Sequence, residues 1–198
     1  MELARPILSV IYREERILME FLRELPVQEL SQAFVLQSIQ KYYSKEMGEG
    51  LLKIFLSLKG LMKKENLLDF KLWAINKEKN FSPKGKRLLN IDPGYVDESH
   101  LVLSSSKKRG GRLYLGKGVY AEIEYLFLYG RFRPLYWTYA DYREENVKAF
   151  FEKVRKGFLQ ELKTAKHWGK FQFVSFTENK IHETSQAWGV ISEKEPKA

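Results

Sequence analysis

Cysteine is absent from the 198-residue chain, which excludes disulfide bridges, thiolate metal centres and a cysteine nucleophile. Histidine is scarce: His100, His167 and His182 are scattered, with no H-x-x-x-H or histidine–carboxylate spacing that would preorganise zinc. No window approaches the roughly 18 uninterrupted apolar residues of a membrane span, and Met1 to Pro6 lacks the basic region and apolar run of a signal peptide. A cytoplasmic protein with no membrane partner is therefore expected. The G-x-S-x-G elbow of a serine hydrolase is missing, as is the G-x-x-x-x-G-K-[ST] phosphate loop, which Gly116-Lys117-Gly118 alone does not replace. Neither an internal repeat nor an interdomain linker interrupts the chain. It reads as one domain over residues 1–198, with residues 167–198 a C-terminal extension.

What is present suits a globular domain: 44% hydrophobic and 14% aromatic residues can fill a substantial core. The net charge is +9 and uneven. Residues 1–100 hold 16 Lys and Arg against 14 Asp and Glu, and residues 101–198 hold 18 against 11, so most of the excess lies in the second half. That asymmetry points to an anionic partner such as a nucleotide, a phosphate or nucleic acid, or else to a solvated surface kept soluble by charge.

Hydrophobic periodicity gives the elements. Pro6 to Tyr12 reads as a buried strand, followed by helical spacing at Ile17, Leu18, Phe21, Leu22 and Leu25 that Pro26 ends. Ala33 to Tyr43 alternates like a strand, although a helix also fits its pattern. Leu51 with Phe55, and Leu68 with Leu72 and Ile75, predict helices over 51–58 and 66–77. The polar, basic stretch from Lys77 to Arg87 predicts a loop before a strand at Leu88 to Ile91. Ser99 is placed to cap a short helix over 100–106, and Lys107 to Arg112 reads as a basic loop. Leu113 to Leu115 and Val119 to Tyr129 are strands joined by a hairpin turn, or one strand with a bulge, at residues 116–118. The apolar stripe Val147, Phe150, Phe151, Val154, Phe158 and Leu162 predicts an amphipathic helix. Phe171 to Phe176 suits an edge strand, and Ser192 to Ala198 is polar enough to fray.

Four constellations carry candidate chemistry. Asp92-Pro93-Gly94-Tyr95 is turn chemistry that also sets Asp92 at a strand end, where ligand-binding groups gather. In Val119 to Tyr129 the period of two sends Tyr120, Glu122 and Glu124 to one face, the carboxylates about 7 Å apart. A half-solvated sheet explains that pattern, as does a general base or metal ligand at Glu122. Trp137 to Arg143 sets three aromatic rings beside Asp141 and Arg143, suited to capping the last helix or to stacking on a base with Arg143 on a phosphate. Ser104 to Arg112, with Lys117, Arg131 and Arg133, supplies phosphate donors or a solvated basic surface.

Together, Tyr42-Tyr43 with Glu46-Met47-Gly48, Asn90 to Tyr95 (NIDPGY), Tyr114 to Glu122 (YLGKGVYAE) and Thr138 to Arg143 (TYADYR) resemble the bacterial domain-of-unknown-function family numbered 4416. The resemblance covers roughly Ile7 to Lys163, and the family usually has proline where this chain has Ala140. It implies a shared fold and a shared site at Asp92, Tyr95, Glu122, Asp141 and Arg143, and it carries no reaction with it.

The expected fold is α+β, a mixed or mainly antiparallel sheet of about five or six strands with helices packed chiefly on one face. The leading functional expectation is a binder or enzyme for a phosphorylated or nucleotide-like small molecule. Asp92, Glu122 and Asp141 would be its acid/base or Mg²⁺-binding groups, and Tyr95, Lys107, Lys117, Tyr120, Tyr139 and Arg143 its ligand contacts. That reading requires the three carboxylates to converge in one pocket. The alternatives are an RNA- or DNA-binding module that stacks bases on Tyr136, Trp137 and Tyr139, and an interaction protein with an exposed apolar patch over Phe171 to Phe176.

Overall fold

In strand β1 (Leu3–Tyr12) all ten residues are buried, as happens when a strand is covered on both faces of its sheet. The computed structural model of the chain describes residues 2–35 and 37–188. After β1 come helix α1 (Glu15–Leu22), β2 (Val27–Leu30), α2 (Gln37–Met47), β3 (Leu52–Leu58), β4 (Met62–Lys63) and α3 (Leu67–Asn80). Then follow β5 (Leu89–Val96), β6 (His100–Ser105), β7 (Leu113–Gly116), β8 (Val119–Leu128), β9 (Arg131–Pro134), α4 (Glu145–Trp168), β10 (Lys170–Phe176) and β11 (Ile181–Ala187). The fold is α+β. Its main sheet runs β2-β3-β1-β5-β6-β8-β7, with β4 on β1 and β9 on β8, and its ladders are antiparallel.

Among the described residues that sheet has nine strands, more than the five or six expected. Helices also cover both faces rather than chiefly one. Ile17, Leu18 and Phe21 of α1 and Phe70, Trp73 and Ala74 of α3 pack on Leu8, Val10, Leu56 and Ile91. On the other face Val147, Phe151 and Val154 of α4 pack on Ile7, Phe55, Leu103 and Tyr125, while Ile39 and Met47 of α2 cover Ile11 and Leu51.

Double coverage explains why the sequence of β3 reads as a helix. A central strand needs apolar residues on both faces, and the resulting continuous run contains i,i+4 pairs such as Leu51 and Phe55 by default. The helix expected over 100–106 is instead β6, again buried on both sides at Leu101 to Ser104. Over 33–43 the helical reading prevails from Gln37, leaving Phe34 in an isolated bridge to Lys53. The strand opening the chain, the helices over 66–77 and 147–162, and the hairpin at residues 116–118 are found where the periodicity predicts them.

Beyond α4, β10 and β11 form their own two-stranded sheet. It docks through a bridge between Leu61 and Phe173 and by stacking Phe176 on Phe70 at 3.8 Å. Phe171 and Phe176 are buried, so the apolar patch expected there is part of the core. The fraying expected of Ser192 to Ala198 lies outside the described residues.

Candidate functional site

Two local irregularities open the sheet. Asp92-Pro93-Gly94-Tyr95 is not a turn; it lies inside β5. Pro93 has no N–H to give to a ladder, and β5 pairs with β6 only over Gly94 to Val96. The Ser104 hydroxyl donates to the Pro93 carbonyl at 2.7 Å instead. Gly94 permits the close approach just beyond, because a Cβ there would lie 2.2 Å from the Val102 carbonyl oxygen. The second irregularity is in β8, where Leu101 pairs with Tyr125 but the next residue, Val102, pairs with Ile123. Glu124 is the extra residue of this bulge, a device that re-aims side chains.

The bulge divides the apolar face expected of β8. Ala121 and Ile123 pack on the α1/α3 side, whereas Tyr125 and Phe127 join the core under α4. Glu122 and Glu124 are consequently buried, not on a solvated face. The segment after β9 holds the bulge in place: Thr138 Oγ1 donates to the Glu124 carbonyl at 2.6 Å and Trp137 Nε1 to that of Ile123 at 2.8 Å.

Between the parted strands lies a cavity of about 510 Å³, walled by α2, by the end of β6 with loop residues 106–109 and by the 3-10 turn Ala140–Arg143. Asp92, Glu122 and Asp141 all line it, as do Lys107 and Tyr139. Tyr95, Lys117, Tyr120 and Arg143 do not. Tyr95 packs in the α1/α3 core, Tyr120 lies against Tyr114 at 5.2 Å, and Lys117 holds the tight β7–β8 turn at φ 49°. The Arg143 guanidinium donates to the carbonyls of Leu135, Tyr136 and Thr138. It locks the turn that presents Asp141. Arg143→Ala should therefore lower stability by about 1 kcal/mol, which melting curves check. Arg131 pairs with Glu145 and Glu152, and Tyr136 is 97% exposed while Trp137 is anchored, so the three-ring stacking platform does not form.

The deep cations of the cavity are each paired. Lys53 bonds Asp141 and sits 5.1 and 4.8 Å from the ring centres of Phe55 and Tyr142. Lys71 reaches Asp92 from α3 on the opposite side of the sheet, at 3.0 Å. Arg87 joins Glu78 and Asn90, and Asn90 Nδ2 donates to Asp92 at 2.8 Å. Arg112 bonds Glu122 at 3.1 Å, Ser105 at 2.8 Å and the Tyr139 hydroxyl. Burial works against ionising Asp92, yet the Lys71 charge and the bonds from Lys71 and Asn90 hold its carboxyl below the usual value. Burial, reinforced by the Glu122 charge, pushes Glu124 the other way, up to about 8. Glu124 thus keeps its proton at neutral pH, the form a general acid needs.

Among the described residues no group of three or more His, Asp or Glu is placed to hold a metal ion, and the three predicted carboxylates are each committed to a cation. Sequence reasoning missed Lys53 and Lys71, which complete the network. Their signal is a lysine among mostly apolar residues, LLKIFLSL and LLDFKLWA, since a lysine is buried there only when paired.

Fold and site together define an α+β protein whose antiparallel sheet is parted to form a charged cavity. The chain belongs to the family described as domain of unknown function (DUF4416), whose model matches residues 2–158 and so contains every residue lining the cavity. No curated protein and no solved structure matches it. Among the described residues no helix is long and apolar enough to cross a membrane.

Proposed function

We propose that the cavity binds a phosphorylated or nucleotide-like small anion, with the phosphate at its mouth and Asp92, Glu122 and Asp141 in its polar walls. One observation carries this reading: Lys107, Lys108 and Arg109 stand exposed at the rim with no ion-pair partner among the described residues, above deep cations that are all paired. Lys107 lies 4.8 Å from the Tyr42 ring centre and Arg109 lies 5.0 Å from that of Tyr139, so aromatic faces preorganise both cations. Unpaired cations over a concave, aromatic-edged cavity attract and orient an anion.

A thermal-shift screen against inorganic phosphate, sugar phosphates, nucleotides and short RNA tests it. The expected result is a rise in melting temperature with a phosphorylated small molecule, persisting at moderate salt. Replacing Lys107 and Arg109 together by alanine should weaken that binding by about tenfold or more, each charge-assisted contact being worth roughly 1.5–3 kcal/mol at most. A shift confined to RNA, and lost between about 50 and 200 mM salt, would replace this reading with a nucleic-acid one.

A further inference from the structure

Asp92 lies inside β5, yet 30% of its side chain is accessible, and the space it opens on is the cavity it lines. Half the heavy atoms of an aspartate side chain are carboxylate oxygens, so a molecule in the cavity can touch them. Lys71 at 3.0 Å and Asn90 at 2.8 Å each donate to one of these oxygens, and an ionised carboxylate has about four acceptor positions, so capacity is left over. The Tyr43 hydroxyl is free as well. It makes no hydrogen bond among the described residues, Lys107 bonding the neighbouring Tyr42 instead at 3.4 Å, and it keeps accessible surface. The groups whose charges act on that hydroxyl, Asp92, Arg87, Tyr139 and Tyr42, all line the cavity. We propose that Asp92 and Tyr43 recognise ligand hydroxyls, which makes the occupant of the anion site a monophosphate ester of a sugar or polyol.

Charge selects the kind of group that fits beside Asp92. Each deep cation is matched by one carboxylate and Glu124 carries a proton, so the inner end of the cavity holds no net charge. A second phosphate or a carboxylate would find no free cation there. An ammonium on Asp92 would meet the Lys71 charge at close range, with that of Lys53 acting on the same carboxyl. A hydroxyl adds no charge, and it can donate to Asp92 while accepting from Tyr43. Burial, reinforced by the Asp92 charge, raises the Tyr43 hydroxyl above its usual range, so it remains a donor at neutral pH. Tyr43 also connects the two ends. Its ring centre is 5.7 Å from Lys107 Nζ while its hydroxyl lies in the field of Asp92, so one small ligand can reach both the rim and Asp92.

The inference rests on the anion-site reading, and a titration separates the two. Glycerol 3-phosphate, ribose 5-phosphate, fructose 6-phosphate, fructose 1,6-bisphosphate, propyl phosphate and inorganic phosphate are titrated into the parent protein, K107A/R109A, Tyr43→Phe and Asp92→Asn. At least one hydroxylated monophosphate should bind about ten times or more tighter than propyl phosphate, which has no hydroxyl to offer. Tyr43→Phe removes a hydroxyl that the fold itself does not use. It should cut that advantage roughly three- to tenfold, the worth of one hydrogen bond, with inorganic phosphate binding and melting temperature unchanged. Asp92→Asn should erase the advantage, and a melting curve accompanies it because Lys71 loses its partner. The bisphosphate should bind no tighter than fructose 6-phosphate; tighter binding overturns the monophosphate assignment. Propyl phosphate binding as well as every hydroxylated ester, or an advantage unaltered in Tyr43→Phe, overturns hydroxyl recognition and leaves the rim site standing. Binding indifferent to K107A/R109A, or no binding of any probe, overturns the rim reading and this inference with it.

Discussion

Glu124→Gln should raise the melting temperature, by an amount that grows with pH. In the folded protein burial and Glu122 hold the Glu124 proton up to about pH 8, against the 4.5 of a free glutamate side chain. Between those values the folded state binds more protons than the unfolded chain, so this residue lowers stability steadily as pH rises and exerts its whole penalty above 8. At 1.36 kcal/mol per unit the penalty is small near pH 5, roughly 3 kcal/mol near pH 7 and at most roughly 5 kcal/mol near pH 9. Glutamine keeps the shape and carries no charge at any of these values. A protein of this size shifts by about 2–4 °C per kcal/mol, so the variant should melt roughly 5–10 °C above the parent at neutral pH. Unfolding curves at three pH values check this. A difference that stays flat with pH, or a variant less stable than the parent near pH 9, would show that Glu124 ionises in the folded protein like an exposed glutamate. A destabilising buried acid in a cavity is what a functional site looks like when its geometry conflicts with stability.

How much of this was legible in the sequence follows from which signals are local. Amphipathic helices with one solvated face, such as α3 and α4, show their period directly. Strands β3 and β6 do not, because a strand buried on both faces loses the alternation that would identify it. The carboxylates of the site were readable: Asp92, Glu122 and Asp141 stand in motif-like stretches and do share one cavity. Their partners were not, since Lys53 and Lys71 lie 88 and 21 residues from the carboxylates they bind, and only the sheet topology unites them.

The two features that create the cavity show the same division. Proline in a run otherwise fit for a central strand argues against a regular ladder, and by sequence Asp-Pro-Gly-Tyr accordingly reads as a turn. The ladder does fail at Pro93, yet the strand continues, because β1 still pairs through Asp92, Pro93, Gly94 and Tyr95 on the other side. A defect on one edge of a strand thus makes an opening without ending the strand. The bulge at Glu124 has no comparable mark, since its cause lies in Trp137 and Thr138, which take up the carbonyls of Ile123 and Glu124 from outside the strand. Both defects bring carboxylates into the interior, where Lys71 pairs with Asp92 and Arg112 with Glu122.

Breaking one of the buried ion pairs should have the second large effect. Lys53 and Asp141 are 8% and 7% exposed at their side chains, so Lys53→Met leaves a carboxylate in the interior without its cation. Removing one partner of such a pair costs about 3–5 kcal/mol, because the remaining charge is neither solvated nor compensated. The contacts of Lys53 with the Phe55 and Tyr142 rings are lost as well. A fall in melting temperature of roughly 10 °C is expected. The double variant Lys53→Met with Asp141→Leu should recover most of it, since apolar groups can replace a buried pair at little net cost. Recovery of stability without recovery of anion binding would assign the pair to the site; a double variant as unstable as the single would mean that the 3-10 turn itself depends on Asp141. Lys53 also draws the Glu124 proton affinity down through its charge, so the effects of Lys53→Met and Glu124→Gln should add near pH 7, where Glu124 carries its proton, and depart from additivity only above about pH 8, where an ionised Glu124 would interact with Lys53.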